Sequence, residues 1–180
     1  MNLERMLVLV GPMGAGKSSV GRLLATRWNL PFLDADAEIE HRAGLSITRL
    51  FERDGEAAFR MLEREVLADL LARPAGVLAT GGGAVLDADN RERMHARGCV
   101  VHLHVSVEAQ VRRLEGDHSR PLLARPDRAA VLQAMAAQRT PLYRELAELS
   151  VDTDALEADA VASVIETRLA VRENTLEARA

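Results

Sequence analysis

Residues 6–21 read MLVLVGPMGAGKSSVG: an apolar run, a glycine-rich turn, then a lysine, two serines and the start of a helical pattern. No other stretch restricts the chain so tightly. The spacing G-x-x-x-x-G-K-[ST] is met by Gly11, Gly16, Lys17 and Ser18, and it falls between a strand and a helix, where such a loop can cradle phosphate. Glycines let the backbone fold so that successive N–H groups point inward, and the helix N-terminus adds positive dipole at the same spot. Lys17 is the only lysine beside 22 arginines. A compact ammonium on a thin stem can slip between β- and γ-phosphates, where a planar guanidinium would crowd the loop. Ser18 offers a hydroxyl to Mg²⁺. A glycine turn with a merely solvated lysine does not need this strand–loop–helix setting.

Apolar runs at Met6–Val10, Pro31–Leu33, Val77–Ala79, Cys99–Val105 and Leu149–Val151 predict five short strands, and helical patterns separate them. This alternation predicts an α/β sandwich with a parallel sheet covered on both faces. Helices are expected from Lys17 to about Trp28, in a polar-faced series from Ala37 to Ala72, near Asp89–Arg97, after a cap at Ser106, from Asp127 to about Gln138, and from about Ala158 to Leu169. A chain of 180 residues, 48% hydrophobic, can bury roughly 70% of its unfolded surface around one core, so a single domain over 1–170 is expected. The segment EGDHSRPLLARPDR at 115–128 lacks periodicity and reads as a long mobile loop. The charged residues 171–180 read as a frayed tail.

Net charge of −4 and 3% aromatic content argue against a protein that coats nucleic acid. Any anionic ligand must then be held by local positive charge. The single cysteine, Cys99, cannot form an internal disulfide and reads as a small buried hydrophobe. The N-terminal apolar run is too short for a signal-peptide core or a membrane span. We expect a cytoplasmic protein with no membrane partner, acting as a monomer.

Several pieces could form an acceptor side. Asp34 and Asp36 lie two apart at the C-terminal end of the second strand, facing the crevice where α/β folds bind ligands. Either could hold hydrated Mg²⁺ or accept a hydrogen bond from an attacking hydroxyl, although Asp36 also suits a helix N-cap before AEIEHRA. FRMLE sets Arg60 and Glu63 three apart on one helical face, so the carboxylate could orient the guanidinium; by spacing alone a solvated ion pair is the commoner arrangement. In VLATGGGAV, Thr80 and Gly81–Gly83 would bring bare backbone close to a ligand. Arg120 in SRPLL and Arg139 in QRTPLY complete the candidate cations. His102 and His104 share one face of the fourth strand, but no third metal ligand has suitable spacing, so structural roles are expected.

Taken together, GPMGAGKSSVG, FLDADAEIE, FERDGEAAFRMLE, VLATGGGAV, SRPLL and RTPLY resemble shikimate kinases, in the expected order from about Leu7 to about Asp152. TGGG, RPLL and PLY carry more of the resemblance than the phosphate loop, which many nucleotide enzymes share. The resemblance implies a P-loop NTPase fold of the nucleoside-monophosphate-kinase type: a three-layer sandwich whose five-stranded parallel sheet has the order 2-3-1-4-5. It also implies transfer of the ATP γ-phosphate to the 3-hydroxyl of shikimate, with Mg²⁺ as cofactor. By the same resemblance Gly14, Ala15, Gly16, Lys17, Ser18 and Ser19 would surround the phosphates, with Ser18 as direct metal ligand and Asp34 acting through water. Asp36 would bind the acceptor's hydroxyls near the attacking oxygen, either taking its proton or only orienting it. Arg60 and Arg139 would clamp the carboxylate, and Gly82 would give a backbone contact. Arg120 would swing in on the 115–128 lid toward the phosphates, and Arg113 could lie against adenine. Lys17, Asp36 and Arg120 would form the catalytic set. Gluconate kinases, nucleoside monophosphate kinases and a non-catalytic ATP-binding module are the rivals. A GTPase switch is excluded, because the N-K-x-D guanine signature needs a second lysine.

Overall fold

The computed structural model describes residues 5–115 and 127–177. Five parallel strands form one sheet: β1 (Met6–Val10), β2 (Phe32–Asp34), β3 (Val77–Ala79), β4 (Gly98–His104) and β5 (Leu149–Asp152). Their order is β2-β3-β1-β4-β5, as expected. β1 takes the centre because all five of its residues are apolar, so both faces can be covered while β3 and β4 satisfy its two edges. Leu7 pairs with Val77 on one side and Cys99 on the other.

Alternation along β1 separates two apolar layers. Met6, Val8 and Val10 face a layer that includes Ile39, Leu67, Leu70, Met94 and Tyr143. Leu7 and Leu9 face another with Val20, Leu24, Val101, Leu103 and Ile165. The first layer is supplied by α2 (Ala35–Ala43), α3 (Ile47–Leu71), α4 (Ala88–Arg97) and α6 (Arg128–Leu146). The second draws on α1 (Lys17–Trp28), α5 (Val107–Arg113) and α7 (Ala158–Glu177). Helices on both faces of one sheet give the three-layer sandwich. Among the described residues, no helix is long and apolar enough to cross a membrane.

Local chemistry moved several boundaries. β2 starts at Phe32, one residue later than expected, because Pro31 has no N–H to donate and contributes only its carbonyl, which accepts from the Val77 amide at 2.9 Å. β4 starts one residue earlier, at Gly98, where a Cβ would fall 2.5 Å from a methyl of Val8. The polar-faced series divides after α2, where Gly44 adopts φ 64° and Ser46 caps α3 by accepting from the Arg49 amide at 3.3 Å. Inside α3, Gly55 at φ 80° and ψ 175° breaks the helical path. α6 runs eight residues past its expected end, through Pro141, because burying Tyr143 and Leu146 outweighs the one backbone hydrogen bond that proline removes. α7 continues to Glu177, through most of the stretch expected to fray.

Candidate active site

The phosphate loop leaves β1 through three glycines in left-handed backbone: Gly11 at φ 145°, Gly14 at 76° and Gly16 at 87°. A side chain on Gly11 would strike the Leu103 carbonyl, so the close approach also demands glycine there. Ala15 is buried and Gly16 caps α1, whose first turn carries Lys17, Ser18 and Ser19 and no acid. No acid of the helix itself offsets its positive end. Lys17 Nζ donates to the carbonyls of Gly11 at 2.8 Å and Pro12 at 2.9 Å, which holds the ammonium over its own loop.

Ser18 Oγ donates to Asp34 Oδ2 at 2.7 Å, joining the first turn of α1 to the end of β2. The other oxygen of Asp34 accepts from the amides of Asp36 at 3.1 Å and Ala37 at 3.3 Å. Asp34, and not Asp36, is thus the cap of α2. With the cap supplied two residues earlier, the Asp36 carboxylate turns toward the glycine turn: its Oδ1 lies 2.8 Å from where a Cβ on Gly81 would sit.

Glu63 overturns the solvated-pair expectation. It is 1% exposed, and one of its oxygens accepts from Arg60 Nη1 at 2.6 Å. Burial pushes its carboxyl pKa up, Arg60 pulls it back, the charge of Asp36 raises it further and that of Arg139 lowers it. Those four side chains therefore form one electrostatic group. Among the described residues, Glu63 Oε1 and Arg139 Nε are buried polar atoms with no hydrogen-bond partner. An acceptor and a donor stand unused in the same group, which a ligand carrying both hydroxyls and a carboxylate would satisfy.

The TGGG turn organises these groups. Thr80 Oγ1 donates to the Leu9 carbonyl at 3.2 Å, tying the turn to the end of β1. A Cβ on Gly81 would also meet Glu63 Oε1 at 3.0 Å, one on Gly82 would lie 3.5 Å from the Gly11 oxygen, and one on Gly83 would fall 2.6 Å from both terminal nitrogens of Arg60. Two of the three glycines thus make room for protein side chains that line the site, beyond the ligand approach expected from the sequence. Tyr143 donates to the Gly82 carbonyl at 2.5 Å, and burial raises its pKa to about 12.

Arg113 has a scaffold function that sequence reading missed. Its Nη1 donates to the Gly14 carbonyl and to Thr153 Oγ1, both at 3.0 Å, and its Nη2 to the Thr153 carbonyl. It pins the phosphate loop to the loop after β5. Arg120 and most of the expected lid lie outside the described residues. His102 stacks on Tyr143 with ring centres 5.0 Å apart, and His104 Nδ1 lies 3.0 Å from Asp152 Oδ2. Cys99 is half-buried against the second apolar layer. Glu63 was legible as a helical neighbour of Arg60, but its burial was not; the one signal for Tyr143 was an aromatic residue one helical turn after Arg139.

A phosphate loop at the end of the central strand, with a carboxylate and guanidinium cluster beside it, defines a P-loop kinase of small-molecule acceptors. The model of the shikimate kinase family matches residues 13–170, and the shikimate kinase of Xanthomonas euvesicatoria pv. vesicatoria (strain 85-10) is 55% identical over 166 residues, 92% of each chain. This chain belongs to the shikimate kinase family. The structure of shikimate kinase from Acinetobacter baumannii in complex with shikimate superposes with a TM-score of 0.91 at 43% identity, covering 93% of this chain and 94% of that one. A gluconokinase from Sinorhizobium meliloti 1021 shares the fold alone, with a TM-score of 0.60 at 19% identity over 100% of this chain and 99% of that one.

Proposed function

We propose that this protein transfers the γ-phosphoryl group of ATP to the 3-hydroxyl of shikimate, giving shikimate 3-phosphate and ADP on the chorismate route to aromatic amino acids. One observation carries the reading: Arg60 and the buried Glu63 lie against the TGGG turn in one charged group with Arg139, with an unused acceptor on Glu63 and an unused donor on Arg139. A ring bearing several hydroxyls and one carboxylate fits that set. Family membership supports the same acceptor.

The amides of Gly14 to Ser19 and the N-terminus of α1 hold the phosphates, and Lys17 exchanges its carbonyl contacts for phosphate oxygens. Arg60 and Arg139 fix the acceptor's carboxylate, which sets the ring's orientation, and Gly82 offers it a backbone contact. Asp36 accepts the hydrogen bond of the attacking hydroxyl; a loose transition state asks little more of a carboxylate. Ser18 and Asp34, an oxygen pair held 2.7 Å apart, fit a hard cation such as Mg²⁺, with Ser18 as direct ligand and Asp34 acting through water. That ion, when bound, would neutralise charge on the β- and γ-phosphates. Arg120 is assigned to the same phosphates, and Arg113 to the adenine side, from the family motif.

The test is an ADP-release assay run in parallel with shikimate, gluconate and nucleoside monophosphates. Turnover with shikimate alone is expected. A flat trace for shikimate beside activity on another acceptor would overturn the reading, and no release with any acceptor would favour a non-catalytic ATP-binding module.

A further inference from the structure

Tyr143 has no role in the steps above, yet it touches both parts of the acceptor site. It is 1% exposed and is the only tyrosine in the chain. Its hydroxyl donates to the Gly82 carbonyl at 2.5 Å, and Arg139, one turn earlier on α6, lines the same cavity and brings its positive charge to bear on the phenol. A phenol has a single proton to give. With that proton committed to Gly82, the phenol presents only its oxygen lone pairs to the guanidinium of Arg139. That polarity favours the arginine, whose Nε is buried and without a partner.

The ring's own position is set by the sheet. It lies against His102 with ring centres 5.0 Å apart and planes inclined by 19°, and His102 pairs with Val10, the last residue of β1 before the phosphate loop. The phenol oxygen is thus held at a fixed height above the strand ends, between the glycine turn and the clamp arginine. An arginine aimed in advance loses less side-chain freedom when its anion arrives.

We propose that Tyr143 is a positioning residue for the acceptor, its hydroxyl holding Arg139 and the Gly82 carbonyl in the arrangement that receives the carboxylate. The inference rests on the assignment of Arg139 to that carboxylate.

Tyr143→Phe keeps the ring and its stack on His102 and removes only the oxygen. The KM for shikimate should rise about tenfold, with the KM for ATP and kcat within about twofold of wild type. With the methyl ester of shikimate, which lacks the anionic carboxylate, the penalty should vanish. Arg139→Ala, measured beside it, separates the two ideas. An unchanged shikimate KM in Arg139→Ala would remove the clamp itself. A raised KM there with an unaltered one in Tyr143→Phe would overturn this inference alone, as would equal increases in both KM values of Tyr143→Phe. Because the chain has one tyrosine, uniform 3-fluorotyrosine labelling gives a single ¹⁹F resonance from an unmutated backbone. Shikimate should displace that resonance; a signal indifferent to saturating shikimate would also defeat the inference.

Discussion

His102 should make the protein's stability fall in acid by an amount that one substitution can isolate. The residue is 1% exposed on β4, and its Nδ1 lies 3.4 Å from Ser150 Oγ. Burial, followed by the positive charges of His104, Arg144 and Lys17, pushes its pKa from 6.5 down to about 4. The unfolded chain therefore binds this proton more tightly than the folded one. Stability is fully present above pH 6.5 and is lost as pH falls toward 4. A tenfold change in proton affinity is worth about 1.4 kcal/mol, so the loss is capped at roughly 3 kcal/mol, of which about 2 kcal/mol falls between pH 7 and pH 5. The assay is urea unfolding of wild type and His102→Phe at those two pH values. Phenylalanine keeps a ring on Tyr143 and has nothing to titrate, while the carboxylates common to both proteins cancel in the comparison. Wild type should lose about 2 kcal/mol more than the variant. Equal losses, within about 0.5 kcal/mol, would refute the claim that a buried, neutral imidazole supports this face of the sheet.

Two further substitutions probe the two ends of the site. Lys17→Arg should lower kcat at least about a hundredfold with an unchanged circular dichroism spectrum, because a planar head cannot occupy the slot between the carbonyls of Gly11 and Pro12; near-normal turnover would contradict this. Gly83→Ala would set a methyl 2.6 Å from both terminal nitrogens of Arg60, so the fold should survive while the guanidinium swings away and the shikimate KM rises about tenfold. An unaltered KM would detach Arg60 from the acceptor.

The parts legible in the sequence were those whose cause is local. β1, α1 and the glycine loop were placed correctly because strand, turn and helix signals follow one another within residues 6–28. β2 and β4 slipped by one residue because Pro31 and Gly98 act through a missing N–H and a missing Cβ, which show only once a neighbouring strand is present. The expected end of α6 at about Gln138 fell short because the packing of Tyr143 and Leu146 that carries the helix through Pro141 is tertiary. In the site, spacing put Glu63 beside Arg60 but could not say what would cover them. Nor could it tell which aspartate of the D-A-D sequence caps α2; either spacing is feasible until Ser18 and the glycine turn claim one each.

The distribution of acids explains how a chain of net charge −4 can hold two anions side by side. At physiological salt the field of distant charges is screened within about 8 Å, so the total matters less than what lies next to each ligand. On the phosphate side, α1 begins with no acid in its first turn and with Lys17 drawn across its loop. On the other side, α2 begins with Asp36 and Glu38 behind the Asp34 cap. The acceptor cluster therefore needs guanidinium groups to balance its own carboxylates before it can receive another, and Arg60 and Arg139 stand there with Glu63 and Asp36. A site built this way is close to neutral on the side of the hydroxyl-bearing acceptor and positive where the phosphates would lie. The TGGG turn keeps the two sides apart, Gly82 facing the phosphate loop and Gly81 and Gly83 facing the cluster. Its lack of side chains lets two oppositely tuned sites come within reach of one transferring group.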